Sequence, residues 1–250
     1  MRPLFLLALL PALASAQVNT EALRDADDWR GVRGQLGATF GYASGNSDFL
    51  EVGADARVDV HLDRERAFVV GAVRYSEADG ARFVDRSFAH ARLSHRLVGP
   101  LWAEGFAQIE QNAQQLLEWR ILTGGGLRLA VVERPAAGLA FGLTPMFEYE
   151  NLSDAAMEEP TRLVRASSYV AGRVRVNDRT SFAATVYAQP RPLEPSDTRI
   201  LGSLTAQVQA TRWVALRVQA NVRHDTDPPE GVERTDVLVE NGLVLTVPAR

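Results

Sequence analysis

The side chains best equipped for chemistry in this 250-residue chain are arginines, carboxylates and four histidines. The sharpest set is Arg86, Arg92, Arg120, Arg128, Arg165 and Arg173, interleaved with Glu104, Glu110, Glu148 and Glu150. Two uses suit such a set. Guanidinium groups gathered on one surface attract anions, whereas guanidinium and carboxylate groups on facing surfaces hold each other in charge-assisted hydrogen bonds. The histidines, His61, His90, His95 and His224, lack the i, i+2 or i, i+4 spacing beside an acid that a metal site uses. Structural or lumenal roles are expected for them, with no metal site and no cofactor. Ser87 and His90 are close in the chain, but on a strand they point to opposite faces, which argues against a hydrolase. Gly124, Gly125 and Gly126 have neither the lysine nor the helix of a phosphate loop, and read as a close backbone approach or a bend. The acidic stretches 154–159 and 225–230 lack calcium-loop spacing and read as solvated loops. There is no cysteine, which excludes disulfides and thiolate metal sites. A formal charge of −4 gives no reason to invoke nucleic acid.

The elements that must position these groups are strands. Residues 49–62, FLEVGADARVDVHL, alternate apolar and polar without error. Leu50, Val52, Ala54, Ala56, Val58, Val60 and Leu62 form one face, and Glu51, Gly53, Asp55, Arg57, Asp59 and His61 the other. A helix does not produce a period of two. The same period recurs from Val32 to the end of the chain, broken by turn clusters. It predicts about twelve strands of roughly 10 to 14 residues, a length that suits tilted strands crossing a bilayer.

The connections alternate in character. Those at 63–66, 98–100, 133–138, 177–179 and 211–212 are mostly tight. Those at 44–48, 77–82, 111–115, 151–161, 190–197 and 225–234 tend to be longer, more acidic and richer in Gly and Pro. Short periplasmic turns opposite longer outer loops give this asymmetry in outer-membrane barrels, and a soluble sandwich has no reason to show it. The expected fold is therefore all-β, a closed antiparallel transmembrane β-barrel of about twelve strands, with its apolar face in lipid and its polar face inward.

The inward charges then form a ladder. Arg33 is on strand one, and Glu51, Asp55 and Asp59 are on strand two. Arg86, His90 and Arg92 follow on strand four, Glu104 and Glu110 on five, Arg120 and Arg128 on six, and Glu148 and Glu150 on seven. Arg165, Arg173 and Arg175 are on strand eight, Arg217 and Arg223 on eleven, and Asp236 and Glu240 on twelve. Neighbouring strands carry opposite signs, as cross-strand pairing favours. An ion-paired interior with a structural role is thus expected, ahead of a narrow channel for small anionic or polar solutes and well ahead of an enzyme.

The first residues, MRPLFLLALLPALASAQ, have a basic start, a short apolar run and a small-x-small site. They predict a signal peptide over 1–16, cleaved between Ala16 and Gln17, a polar lead-in over 17–29 and the barrel over 30–250.

Several stretches resemble a known family in order along nearly all of the mature chain. They include GVRGQLGATFGYASGNSD, YSEADGARFVDRSFAHARLSHRL, AEGFAQIEQN and WRILTGGGLRL. FEYENLSD, SSYVAGRVRVNDR, YAQPRPLEPSDTRIL and DTDPPEGVERTDVLVENGLV continue the match. The family is the salt-induced outer-membrane proteins, the domain of unknown function 481. The resemblance implies an outer-membrane barrel of undefined molecular role with a link to salt response. The expected partners are outer-membrane lipid, lipopolysaccharide and the barrel insertion machinery, with a small solute as an option. One departure is the C-terminus, where Leu243 to Val247 is followed by Pro248, Ala249 and Arg250 instead of ending on an aromatic residue.

Overall fold

A computed structural model of the chain describes residues 29–43, 49–78, 81–154, 159–229 and 232–247. The expected signal peptide, its cleavage site at Ala16 and Gln17, and the lead-in before Trp29 lie outside the described residues. So do the turn at 44–48, the middle of the 151–161 loop and the last three residues.

Twelve strands follow one another around a closed antiparallel barrel. They are β1 (Gly31–Ala43), β2 (Phe49–His61), β3 (Glu65–Ala78), β4 (Ala81–Val98), β5 (Leu101–Asn112) and β6 (Leu117–Arg134). The second half comprises β7 (Ala137–Leu152), β8 (Thr161–Arg175), β9 (Thr180–Arg191), β10 (Glu194–Gln209), β11 (Val214–Asp225) and β12 (Thr235–Val247). A 3-10 turn, Ala113–Gln115, joins β5 to β6. Closure runs through β1 and β12, from Gly34 opposite Val247 to Ala38 opposite Leu243. A closed ring leaves no unpaired edge, which is the condition for strands to cross hydrocarbon.

The alternation decides which face is which. On β2, Val52, Ala54, Ala56 and Val58 are exposed, while Gly53, Arg57, Asp59 and His61 are buried. The outer surface elsewhere is built from Val69, Val73, Leu93, Leu127, Phe141, Leu143, Val186, Leu204, Leu216 and Leu243, all exposed. Toward the long connections this band ends in Tyr42, Tyr75, Trp119 and Tyr149, with polar pairs beyond it, such as Asn151 Nδ2 donating to Glu118 Oε2 at 2.7 Å. An apolar belt edged by aromatic rings around a polar interior is the pattern of a transmembrane β-barrel.

Two details differ from the sequence expectation. The strands are 12 to 18 residues long, because β4, β6, β7 and β10 continue past the length that hydrocarbon requires. The expected loop at 190–197 is mostly strand: Glu194 pairs with Arg191, and only Pro192 and Leu193 turn between β9 and β10. Its prolines are tolerated because a register shift between Glu194 and Thr198 interrupts the ladder there.

Glycines make room inside. A Cβ on Gly126 would strike the Leu143 carbonyl and Thr144, so the glycine run in β6 is a close backbone approach. A Cβ on Gly142 would strike the Tyr169 ring, and the missing side chain lets that ring lie across β7.

Candidate functional site

The polar interior is the candidate site, and its charges fall into three groups. The largest is centred on β6 and β7. In the sheet register Arg120 stands opposite both Glu110 of β5 and Glu150 of β7. Its Nη1 lies 2.6 Å from Glu110 Oε1 and its Nε 2.7 Å from Glu150 Oε2, while Nη2 also donates to Glu150. Strand spacing brings these pairs together directly.

The same group then crosses the lumen. Arg199 of β10 donates from Nη1 to Glu148 Oε1 at 2.8 Å, from Nη2 to Glu150 at 3.2 Å and from Nε to Asp225 at 2.7 Å. Arg223 donates to the same Asp225 oxygen at 2.7 Å. Arg165 of β8 holds Asp197 through both Nη atoms, at 2.8 and 3.2 Å, and its Nε lies 3.4 Å from Glu148. The side chains of Glu148 and Arg165 are only 1% and 2% exposed. Charges this deep are tolerated because Arg120, Arg165 and Arg199 each face more than one carboxylate, and Arg223 shares the Asp225 oxygen with Arg199; removing one partner would leave an uncompensated buried charge.

The second group lies on β2 to β6 and β8. Arg57 grips Asp59 on its own strand at 2.6 and 2.7 Å and stacks over Phe68 at 3.9 Å. The His90 ring is stacked between Phe68 and Phe106, each at 5.6 Å, and its Nδ1 lies 3.0 Å from Gln108 Oε1. Glu104 accepts from Ser94 at 2.9 Å and from Tyr169 at 2.7 Å, with Arg92 at 3.8 Å. Arg128 donates to the Tyr169 hydroxyl at 3.0 Å. Gln108 Nε2 donates to Glu110 at 2.9 Å and so links this group to the first.

The third group sits by the closing seam. Arg217 of β11 lies 3.0 Å from Asp55 of β2. Arg74 of β3 bridges Asp55 at 3.4 Å and Glu240 of β12 at 3.1 Å, and Arg86 of β4 lies 2.7 Å from Glu240. These five side chains border a cavity of about 80 Å³.

The remaining ladder residues lie apart from these groups. Arg33 covers the Trp29 ring at 4.4 Å, and Trp29 stacks on His61 at 4.0 Å. Arg173 donates to the Arg134 carbonyl at the short-turn end, where Arg175 is exposed. Glu51 and Asp236 are half-buried. His95 meets Glu65 at 3.0 Å, and His224 meets Thr235 at 2.8 Å. Ser87 points outward to Gln111 at 3.1 Å, away from His90. Among the described residues no three His, Cys, Asp or Glu side chains gather as metal ligands.

Pairing between neighbouring strands therefore holds from β4 to β8 but not at the seam. Glu240 pairs with Arg74 and Arg86 and takes only Asn221 from β11, and Arg57 takes the Asp59 that faces Arg33 in register. Sequence reasoning missed Arg57, Arg74, Asp197, Arg199 and Asp225 as members of the network. The available signal was parity: Asp197 continues the inward face of Arg199 and Leu201, and Asp225 that of Arg223.

Comparison with solved structures returns other barrels. The NanC porin is 9% identical with a TM-score of 0.47, covering 87% of this chain and 99% of its own. The translocator domain of autotransporter NalP from Neisseria meningitidis is 10% identical with a TM-score of 0.43, covering 88% and 89%. An anion-selective porin from Comamonas acidovorans is 8% identical with a TM-score of 0.43, covering 86% and 98%. A search of curated proteins gives no match. The family model described as "Protein of unknown function, DUF481" matches residues 35–247, the whole barrel apart from the start of β1, and the chain belongs to that family.

Proposed function

We propose that this protein is an outer-membrane barrel closed from within, with a structural or salt-stress role in the cell envelope, rather than an open pore. The observation that carries this reading is the buried path Glu110–Arg120–Glu150–Arg199–Glu148–Arg165–Asp197, which runs between β5 and β10 through the interior. An open aqueous lumen would hydrate such charges, whereas here they are held by each other. On this reading the chain reaches the outer membrane by a cleaved leader and the barrel insertion machinery, and the exposed belt meets lipid and lipopolysaccharide. The short connections face the periplasm, following the usual asymmetry of such barrels. Liposome swelling tests the reading: vesicles carrying the folded protein should take up small sugars and amino acids no faster than empty ones. Uptake that rises with protein content would overturn it.

A second reading, a narrow channel for small polar solutes, draws on the seam cavity, where the lining charges are less buried than in the main network.

A further inference from the structure

The seam group differs from the main network in what its arginines leave unused. Five charges alternate as Arg217–Asp55–Arg74–Glu240–Arg86, so both ends of the chain are cationic. Arg74 is fully engaged: Nε and Nη2 serve the two carboxylates, and Nη1 donates to the carbonyls of Ala54 and Val73. Arg86 and Arg217 are not. Among the described residues each makes one ion pair, through Nη2, which leaves Nε and Nη1 uncommitted. Both side chains border the 80 Å³ cavity and are 16% and 14% exposed, so solvent reaches them. The third acid at the cavity, Glu110, is already held by Arg120.

Three guanidinium groups against two carboxylates leave this row of five side chains one positive charge in excess. The cavity that Arg86 and Arg217 border is large enough for several waters. Planar, forked donors match a carboxylate or phosphate edge, and they bind it best where water is scarce. We propose that the seam cavity is a binding site for one small oxyanion, a carboxylate- or phosphate-type group, held by the free donors of Arg86 and Arg217. The site goes beyond the closed-lumen reading and rests on neither conduction reading, because an anion can occupy the cavity whether or not solutes cross.

Isothermal titration with inorganic phosphate, at constant ionic strength, tests it on the full folded protein in a non-ionic detergent. Saturable uptake of one phosphate per chain is expected. Arg86→Gln and Arg217→Gln should each weaken it about tenfold or more, the worth of a hydrogen bond to a charged group. Arg96→Gln, at the short-turn rim beside Glu133, should leave it unchanged. Glu240→Gln frees donors on Arg74 and Arg86 and should tighten binding, so that phosphate raises the unfolding temperature more in this variant than in the wild type. Lack of saturable uptake would overturn the proposal, as would uptake that both arginine variants retain or a Glu240→Gln protein that phosphate stabilises no better. Heat-modifiable gel migration confirms that each variant is folded before titration.

Discussion

Arg199 of β10 and Glu148 of β7 meet across the barrel, Nη1 to Oε1 at 2.8 Å, although two strands lie between them in the sheet. The contact is a chord, not a rung. It joins the directly opposed pairs of β5 to β7 to the Arg165–Asp197 pair of β8 and β10.

Glu148 faces two arginines, Arg165 and Arg199, and at 1% exposure it is the deepest carboxylate of the network, so its loss should matter most. Glu148→Ala should destabilise the folded barrel by about 3–5 kcal/mol, the usual penalty for stranding a buried charge. Arg175→Ala, at an exposed position, should change stability by about 0.5 kcal/mol or less. Urea unfolding in lipid vesicles, followed by gel migration, measures both.

Burial also sets the response to salt. A double-mutant cycle on Arg199 and Glu148 should give a coupling of about 0.5–3 kcal/mol that persists in high salt. The same cycle on Arg96 and Glu133, a pair about a third exposed, should give a small coupling that salt abolishes. Equal salt sensitivity of the two cycles would mean that the interior is as hydrated as the rim.

Gly142 and Gly34 separate two meanings of glycine in a strand. Gly142→Ala pushes a methyl group into the Tyr169 ring and should cost about 1–3 kcal/mol. Gly34→Ala meets nothing within 4 Å and should be neutral or slightly stabilising. Unfolding midpoints of the two variants make the comparison.

The outward face offers the converse test. Val186 lies mid-strand on β9 and is exposed. Val186→Arg should cost about 2–4 kcal/mol if that position meets the middle of a bilayer. In detergent-free refolding into vesicles, a Val186→Arg protein as stable as wild type would argue against lipid contact there.

Much of this architecture was legible in the residues. The strict alternation of Leu50 to Leu62 determines a strand with one polar face, and the alternating length of connections determines how such strands close. Arg120 could be paired with Glu110 and Glu150 because neighbours in a meander face one another at strand spacing. Arg199 follows this rule only for Asp225, which β11 places directly opposite it; β9 presents Gln189, and the other two acids, Glu148 and Glu150, come from β7 across the lumen. Which chords form depends on how tilt and stagger close the ring, and no single strand encodes that. Proline and glycine near Asp197 and Asp225 signal turns, yet the inward parity of each strand runs on through both residues. The inward Phe68 breaks the polar face of β3, and its role emerges only with Arg57 above it and His90 beside it.

The central claim, that the buried charge network closes the lumen, is tested most directly by planar-bilayer recording of the purified, heat-modifiable protein. The predicted result is a silent membrane at moderate voltage, with no stepwise rise in current as protein is added. Steady, stepwise conductance of porin size from the wild-type protein would contradict it.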